Sequence, residues 1–254
     1  MKPTKLFFAL LFTTVLLVSC SDDDGYSLND FEVAIATVEN SDGDDTFFLR
    51  LDNNKLLWTA AKITGYKPKD GQRVIANYTI LSDKSATGLY DYDVKLNDVY
   101  EVLTKGIFML TPQTADSIGN DSVVVRDIWV GSKYLNVEFL YQGYNQTHFI
   151  NLVKDNSRTY NDGKVHLEFR HNNRDDYPVY NFLGVASFDI SSLKDAQKDS
   201  VKLVVHVNVP NQIEEETFEL TYKYTRPSAV NSLNSNNRKL FLKEYQSKSS
   251  SLIR

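Results

Sequence analysis

The chain contains a single cysteine, Cys20, among its 254 residues. One cysteine cannot form a disulfide within the chain, and it cannot supply the cysteine sets that ligate zinc or iron-sulfur clusters. The sequence also lacks a dinucleotide fingerprint, a phosphate-binding glycine loop, a Gly-x-Ser-x-Gly elbow and a His-Glu-x-x-His motif. Because the common enzyme signatures are missing, we predict a protein that is not an enzyme and that needs no metal or cofactor.

Long apolar runs are also missing, with one exception near the N-terminus. Residues 6–18 are apolar apart from Thr13 and Thr14, and Lys2 and Lys5 precede them. A helix that spans a bilayer needs about 20 apolar residues, so this run is too short to be a permanent anchor. A positive end followed by a short apolar run is typical of a cleaved signal peptide.

A lipobox closes this signal at residues 17–20, where Cys20 follows the small residue Ser19. We therefore predict a lipoprotein signal peptide over residues 1–19 and acylation of Cys20. Each buried methylene contributes about 0.8 kcal/mol, and stable anchoring needs two or more acyl signals, so a triacylated Cys20 would hold the protein at a membrane. Acylation also leaves the mature chain without a free thiol, which excludes a cysteine nucleophile.

The residues after the lipobox indicate a location. Ser21, Asp22, Asp23 and Asp24 resemble the serine-plus-acidic export signal that takes some lipoproteins of Gram-negative anaerobes to the outer face of the outer membrane. The alternative is a solvated acidic tether over residues 20–29. We predict a surface-exposed lipoprotein of the outer membrane, with a periplasm-facing lipoprotein as the alternative.

Acidic residues outnumber basic ones in the mature chain. Removing Lys2 and Lys5 with the signal leaves 26 basic and 33 acidic residues, a net charge of −7. This charge disfavours nucleic acid, whose binding depends on neutralising phosphates, so an envelope protein or a glycan is the expected partner. Residues 227–254 differ, with 5 basic and 1 acidic residue. We predict a mobile, solvated tail there, and the alternative is docking on anionic lipopolysaccharide or a partner.

Apolar residues alternate with polar ones along most of the chain, and the helical period is scarce, which predicts an all-β fold. In residues 217–224, Phe218, Leu220 and Tyr222 alternate with polar residues, as a half-buried strand requires. Further β-rich runs lie at residues 31–38, 46–51, 56–60, 73–81, 90–96, 100–103, 122–130, 134–141, 147–153, 164–170, 180–190 and 201–209.

The composition changes at residues 111–120, which contain Pro112 and Gly119 and few large apolar residues. We place a domain boundary there. The first part, residues 30–112, has the strand number of an OB-like five-stranded barrel. The second part, residues 113–226, has enough short strands for an Ig-like β-sandwich.

Several segments carry a resemblance to a known family. They are the lipobox with its acidic tether, and residues 71–78, 103–105, 118–121, 134–139, 148–153 and 167–172. Through them the chain resembles the NigD-like lipoproteins, named after a member encoded with the bacteriocin nigrescin. The resemblance implies an N-terminal OB-like domain and a C-terminal β-sandwich, and it brings no catalytic residues. It also suggests an alternative function, a bacteriocin-associated accessory or immunity protein, beside our main expectation of a non-enzymatic binding or interaction module.

One polar loop contains the strongest candidates for a binding site. It includes Arg170, His171, Arg174 and Asp176 and ends at a proline. Either arginine could bind a carboxylate or phosphate, since guanidinium groups suit these anions. Alternatively, the loop is a structural turn in which Arg170 pairs with Asp176. A third reading is a cryptic hydrolase that uses His171 with Asp175 or Asp176.

Two further sets of polar or aromatic side chains have a functional and a structural interpretation. His166, Glu168 and Arg170 share one face of a strand, where they could act together or form ion pairs worth about 0.2 to 1 kcal/mol, and we favour the ion pairs. Four tyrosines of the first domain could form a sugar-binding face or could fill the core. They are Tyr78, Tyr90, Tyr92 and Tyr100.

Overall fold

The computed structural model describes residues 26–39, 47–83 and 89–224. The lipobox, Ser21 to Asp24 and the tail from residue 225 onward lie outside these ranges, so the interpretations placed on them stay predictions. The described strands are β1 (Glu32–Glu39), β2 (Phe48–Leu51), β3 (Leu56–Ala61), β4 (Arg73–Asp83), β5 (Tyr92–Glu101), β6 (Leu103–Leu110), β7 (Val124–Gly131), β8 (Tyr134–Gly143), β9 (Phe149–Asp155), β10 (Val165–Asn172), β11 (Tyr180–Asp189), β12 (Ser200–Val207) and β13 (Glu216–Lys223). A short helix, α1 (Ala115–Ile118), lies between β6 and β7. None of the helices within the described ranges is long and apolar enough to cross a bilayer.

The first five strands close into a barrel in the order β1-β2-β3-β5-β4, and β4 pairs with β1 to complete it. β3 and β5 are parallel, whereas the other neighbours are antiparallel. Register shifts between Asn77 and Tyr78 and between Ile80 and Ser82 interrupt the β4–β5 ladder, and such bulges let strands curve around a barrel. The predicted OB-like barrel of five strands is confirmed.

The remaining strands form a β-sandwich in the order β13-β12-β10-β9-β6-β11-β8-β7. β6 belongs to both layers, because its first half, from Leu103 to Gly106, pairs with β11 and its second half, from Ile107 to Leu110, pairs with β9. A strand that changes sheets in this way forms a corner between two packed layers. The predicted all-β fold with a C-terminal sandwich is confirmed. Alternation alone did not indicate the three parallel pairs, β6–β11, β6–β9 and β10–β12.

The structure places the end of the barrel before the predicted boundary at residue 112. β6 pairs only within the sandwich among the described strands, and Val102 just before it still donates its backbone N–H to Arg73 of the barrel at 2.9 Å. The segment that contains Pro112 and Gly119 carries α1 and connects β6 to β7 inside the sandwich. Its composition therefore marks a loop within a domain, and a loop of this kind resembles a linker in sequence.

The barrel packs against the outer face of β8 and β11. Side chains of these two strands alternate between the sandwich interior and a second apolar cluster shared with the barrel. That shared cluster contains Val33, Ile35, Ile75, Val102, Leu183 and Val185. Because both faces of β8 are covered, most of its residues are buried.

A buried polar bridge joins the two domains at the edge of this apolar cluster. Arg73 of the barrel is 2% exposed and binds Asp52 through both terminal nitrogens, at 2.8 and 3.0 Å. One of these nitrogens also donates to Asn136 Oδ1 of the sandwich at 2.8 Å. Asp52 accepts hydrogen bonds from Trp129 Nε1 at 3.2 Å and from Asn136 Nδ2 at 3.0 Å. Paired ions and amides buried between two domains fix their relative position.

Candidate functional site

One end of the sandwich, where β8 ends and β11 begins, contains a cavity of about 760 Å³. We call it the end cleft. Its lining includes Asp121, Arg126, Gln142, His171, Asn181 and Phe182. Ligand sites in proteins usually have volumes of roughly 300 to 1,000 Å³ and combine apolar walls with a few polar groups, so the size and lining both suit a binding site.

Aromatic rings connect the rim of this end of the sandwich to its interior. Tyr144 and Tyr180 stack with ring centroids 6.1 Å apart, and each is about half exposed. Tyr180 contacts Phe182 edge to face at 6.4 Å, and Phe182 stacks on Tyr141 at 5.4 Å. Tyr141 in turn lies 5.0 Å from the ring of His148. The pairing of Gly143 with Tyr180 brings the exposed ends of β8 and β11 side by side.

Two buried histidines and one carboxylate form a chain of hydrogen bonds beneath these rings. His148 Nδ1 lies 2.7 Å from His171 Nε2, and His148 Nε2 lies 3.1 Å from Asp176 Oδ2. The carboxylate also accepts the backbone N–H groups of Tyr144 at 2.6 Å and Asn145 at 3.3 Å. The two histidines are 1% and 2% exposed. This geometry gives every oxygen of the buried carboxylate a donor.

A tight turn between β10 and β11 directs Asp176 back toward His148. Arg174 and Asp175 have φ angles of 55° and 60°, and Asp176 donates its N–H to Asn173 O at 3.1 Å. Two successive left-handed residues are the feature of a type I′ turn. Asn172 Oδ1 accepts the N–H of Arg174 at 2.8 Å, which supports a conformation that L-residues seldom adopt.

The chain of hydrogen bonds determines where the imidazole protons lie. Burial raises the pKa of Asp176, but hydrogen bonds from the Tyr144 backbone and from His148 outweigh it and hold this pKa well below its usual value. The ionised carboxylate needs a proton on His148 Nε2, and one proton is shared in the 2.7 Å contact between His148 Nδ1 and His171 Nε2.

His171 is neutral at neutral pH. Burial lowers the pKa of its imidazole to about 4, and neighbouring His148 lowers it further. The backbone of Asp121 and Ser122 opposes this shift, although neither residue makes a hydrogen bond of ordinary geometry with Nδ1. His171 is thus a buried, neutral imidazole beside the backbone of Asp121 and Ser122, and it lines the end cleft.

The lowered pKa of His171 predicts acid sensitivity. In the unfolded chain this imidazole titrates near 6.5, so its contribution to stability is complete above that pH and decreases as pH falls toward 4. Between pH 7.5 and 4.5, we expect the H171Q variant to lose less unfolding free energy than the wild type, by roughly 2 kcal/mol. Urea titrations at both pH values measure the difference. Equal losses in the two proteins would show that His171 is not held neutral.

The structure separates the residues of the predicted polar loop. His171 and Asp176 belong to the same hydrogen-bond chain, but His148 lies between them, so the direct His171–Asp176 pair of the hydrolase hypothesis is absent from the described contacts. Arg170 donates to Glu168 at 2.6 Å. The predicted Arg170–Asp176 pair is therefore wrong, because the carboxylate of Asp176 is already occupied by backbone N–H groups and an imidazole.

Arg174 is not among the residues that line the end cleft. Its guanidinium lies 5.2 Å from the ring centroid of Phe149 on the neighbouring strand, which is a cation–π contact. His148 was only one of four candidate histidines in the sequence and had no assigned role, yet it takes the central place in the site. The only signal for it in the sequence is its position directly before the apolar run of β9, where the alternation makes the residue buried.

The predicted ion-pair face of β10 is present and includes a second histidine pair. His166 Nδ1 lies 2.9 Å from His206 Nε2, because β10 and β12 are parallel neighbours. Asp162 lies 3.1 Å from His166 Nε2, and Glu215 lies 3.4 Å from His206 Nδ1. Tyr160 stacks on His166 with centroids 3.5 Å apart. Across residues 26–39, 47–83 and 89–224, no group of three or more such side chains has the arrangement of a metal site.

The four tyrosines of the barrel do not share one face. Tyr78 is 5% exposed in the barrel core, and Tyr100 packs on the apolar cluster between the domains. Tyr90 lies beside Trp58 with centroids 5.6 Å apart, while Tyr92 lines a groove of about 340 Å³ that Tyr78 also borders. Core packing therefore accounts for Tyr78, and contact between the domains accounts for Tyr100.

Comparisons with known proteins agree with this architecture. The family model described as the NigD-like N-terminal OB domain matches residues 35–102, and the NigD-like C-terminal beta sandwich domain matches residues 106–222. A Bacteroides vulgatus ATCC 8482 protein of unknown function is 31% identical, with a TM-score of 0.71, over 85% of this chain and 99% of that one.

Two other solved structures are similar. A Parabacteroides distasonis ATCC 8503 protein, described as toxin-related, is 33% identical with a TM-score of 0.67, over 78% of this chain and 96% of that one. A NigD-like immunity protein from Bacteroides caccae ATCC 43185 shares the fold, with 20% identity and a TM-score of 0.60, over 79% of this chain and 99% of that one. No protein with a curated description matches the chain.

Proposed function

Since this chain belongs to the NigD-like family, we propose that it is a cell-envelope lipoprotein that acts as a non-enzymatic binding module. The lipobox at Cys20 supports the anchor, and the serine-plus-acidic segment after it supports display at the outer surface of a Gram-negative outer membrane. The lipid anchor then holds the two β domains at the membrane through a short tether, and the ligand binds in the end cleft.

The observation that carries this proposal is the end cleft, a cavity of about 760 Å³ at one end of the sandwich. Tyr141 and Phe182 give it apolar walls, and Asp121, Arg126 and His171 add polar groups. A cavity of this size with this mixture of groups has the usual form of a ligand site.

The same geometry favours binding over catalysis. No serine, threonine or cysteine side chain within the described residues hydrogen-bonds to His148 or His171, so no nucleophile is activated by either imidazole. Asp121 in the cleft accepts the backbone N–H of Asn173 at 2.7 Å, which gives this carboxylate a structural partner. A general acid paired with a second carboxylate, as glycoside hydrolysis requires, is not what this arrangement offers.

A second candidate function is an accessory or immunity role toward a bacteriocin. What favours it is the 33% identity to the toxin-related protein of Parabacteroides distasonis. In that case the end cleft would bind a segment of the toxin. Both candidates need the same cleft, and they differ in the chemical nature of the occupant.

Site-directed photocrosslinking on intact cells tests the proposed function. A benzophenone amino acid at position 181, which lines the end cleft, should capture an envelope component from the native host. The same probe at Lys198, whose side chain is 62% exposed and which is not among the lining residues of the cleft, is the matched control. Capture at 181 alone supports a binding module. Capture of a bacteriocin would favour the immunity role, and no capture at 181 would contradict both.

A further inference from the structure

The second histidine pair belongs to a chain of four titratable side chains on the outer face of the sandwich. The chain runs from Asp162 through His166 and His206 to Glu215, and successive groups are 3.1, 2.9 and 3.4 Å apart. The histidines lie on β10 and β12, which are parallel neighbours, and each carboxylate lies in a loop at one end of these strands. Both imidazoles are mostly buried, with 11% and 13% of their side-chain surface exposed. The chain therefore links two loops across the sheet.

One of these loops covers part of the sheet. We call residues 156–164, which connect β9 to β10, the strap. Tyr160 of the strap stacks flat on His166, with ring centroids 3.5 Å apart and planes 1° from parallel. Val204, the cross-strand partner of His166, points outward, because the residues on either side of it belong to the sandwich core, yet it is only 5% exposed. The strap and His166 therefore cover this valine.

Ion pairs hold both ends of the strap. Arg158 lies 3.1 Å from Glu168 of β10, and Lys164 pairs with Glu219 of β13. Pairs of carboxylates with arginine or lysine keep their charges between about pH 5 and 8, whereas histidine changes its charge in this range. The middle of the strap, residues 159–163, is thus the part whose position depends on the histidine chain.

The two imidazoles of the chain point directly at each other. Their ring centroids are 5.2 Å apart, which is close to the 2.9 Å between the two nitrogens plus one ring radius at each end. A metal ion bound by both rings would need their lone pairs to converge on a third point. The contact of His166 Nδ1 with His206 Nε2 is therefore a hydrogen bond, and it exists only while one proton lies between the two nitrogens.

The number of protons on the pair decides whether this central hydrogen bond forms. Two neutral imidazoles carry one proton each, which is enough for the central bond and for a donor to Asp162. One extra proton adds a donor toward Glu215, so a singly charged pair keeps the chain intact. When both imidazoles are charged, every ring nitrogen carries a proton, and two N–H groups face each other at 2.9 Å. The central bond is then lost, and the two positive charges repel each other.

Titratable and charged groups from every neighbouring element surround the pair. They are Asp155, Arg158, Tyr160, Asp162 and Lys164 of β9 and the strap, Glu168 and Arg170 of β10, Lys202 of β12, Glu215 of the β12–β13 loop, and Glu219 of β13. Burial lowers the pKa of His206, and so does the charge of His166. Glu215 and Glu168 oppose this shift in the pKa without cancelling it. The closed chain therefore opposes the charging of the second imidazole.

We infer that this histidine chain is an acid-sensitive clasp for the strap. At neutral pH the central hydrogen bond and the contact with Asp162 keep Tyr160 on His166, and the strap is closed. As pH falls below about 6.5, the open strap gains protons more readily than the closed one, because its hydrated imidazoles can both be charged. Acid therefore shifts the equilibrium toward an open strap, in which Val204 is exposed.

Thiol labelling at position 204 tests the inference. In the mature C20S/V204C variant the new thiol is the only one in the chain, because Cys20 is the sole native cysteine. The rate of labelling by 4,4′-dithiodipyridine, divided by the rate for free glutathione at the same pH, measures how often the strap opens. We expect this normalised rate to rise about three- to tenfold from about pH 7.5 to about pH 5, since a pKa difference of one unit changes the opening equilibrium up to tenfold.

Two matched variants separate the clasp from other causes of labelling. H206Q in the same background keeps a side chain that forms hydrogen bonds but takes up no proton, so its normalised rate should not change with pH. V205C in place of V204C puts the thiol in the sandwich core, where Val205 is 0% exposed, and it should stay unreactive at both pH values. Labelling at position 205 in acid would mean that the whole sheet opens, and it would overturn the inference. An equal pH dependence with and without H206Q would overturn it too.

Nitrogen-15 spectra of the histidine rings give a second test that needs no substitution at position 206. The rings of His166 and His206 should change from one protonated nitrogen each to two each over the pH range in which labelling at position 204 rises. If both rings become charged while labelling at position 204 stays constant, the chain does not control the strap and the inference fails.

Discussion

The D52A variant should lose about 3 to 5 kcal/mol of unfolding free energy, because it leaves Arg73 as an unpaired charge between the two domains. Trp129 Nε1 and Asn136 Nδ2 would lose the same acceptor. Such a loss is a large share of the 5 to 15 kcal/mol that is typical of a folded protein. Urea unfolding followed by circular dichroism measures it.

Two comparisons identify the cause of that loss. K133A removes a partly exposed ion pair with Asp189 and should cost less than about 1 kcal/mol. Adding R73M to D52A removes the unpaired charge of Arg73, so the double variant should be more stable than D52A alone. If D52A and K133A were equally stable, the Arg73–Asp52 pair would not hold the domains together.

The D176A variant should lose about 2 to 4 kcal/mol and should also disorder the end cleft. Removing the Asp176 carboxylate leaves three buried donors without an acceptor. They are His148 Nε2 and the backbone N–H groups of Tyr144 and Asn145. Without the carboxylate, nothing fixes the tautomers of the two histidines. Chemical denaturation gives the free energy, and nitrogen-15 spectra of the histidine rings report the tautomers.

An exposed aspartate provides the control for D176A. D199A changes a carboxylate at the surface and should alter stability by less than about 0.5 kcal/mol. In the wild type we expect one fixed arrangement of protons on the His148–His171 pair, with His148 Nε2 protonated toward Asp176. A mixture of tautomers in the wild type would contradict the assigned hydrogen-bond chain.

The sequence predicted the fold well where one face of a strand is buried and the other is exposed to solvent. β13 shows this, since Phe218, Leu220 and Tyr222 alternate with polar residues and pack on the sandwich core. The prediction failed at β6, where Gly106 and polar residues weaken the pattern because the strand passes from one sheet to the other. Alternation reports local burial, and it does not report which sheet a strand joins.

The candidate site was only partly predictable. His171 and Asp176 stood out as polar residues in one loop, but their connection through His148 depends on strand pairing between β9 and β10 and on the left-handed turn at Arg174 and Asp175. In the sequence Arg170 looked able to bind an anionic ligand, yet its guanidinium forms an ion pair with Glu168, two residues before it. Residue type indicates what a side chain can bind, whereas its neighbours in space decide what it does bind.

The same limit applies to the bridge between the domains. Arg73 and Asn136 both lie in segments that carry the family resemblance, and they are 63 residues apart. Neither residue alone indicates a contact, since arginine and asparagine are usually exposed. Their burial becomes understandable only when the barrel covers the outer face of β8.

Whether the end cleft binds a ligand is decided by the ratio of crosslinking at position 181 to crosslinking at position 198 on intact cells. We predict a strong, saturable product at 181 and only background at 198. Equal yields at the two positions, or no product at 181, would show that the end cleft does not bind a ligand.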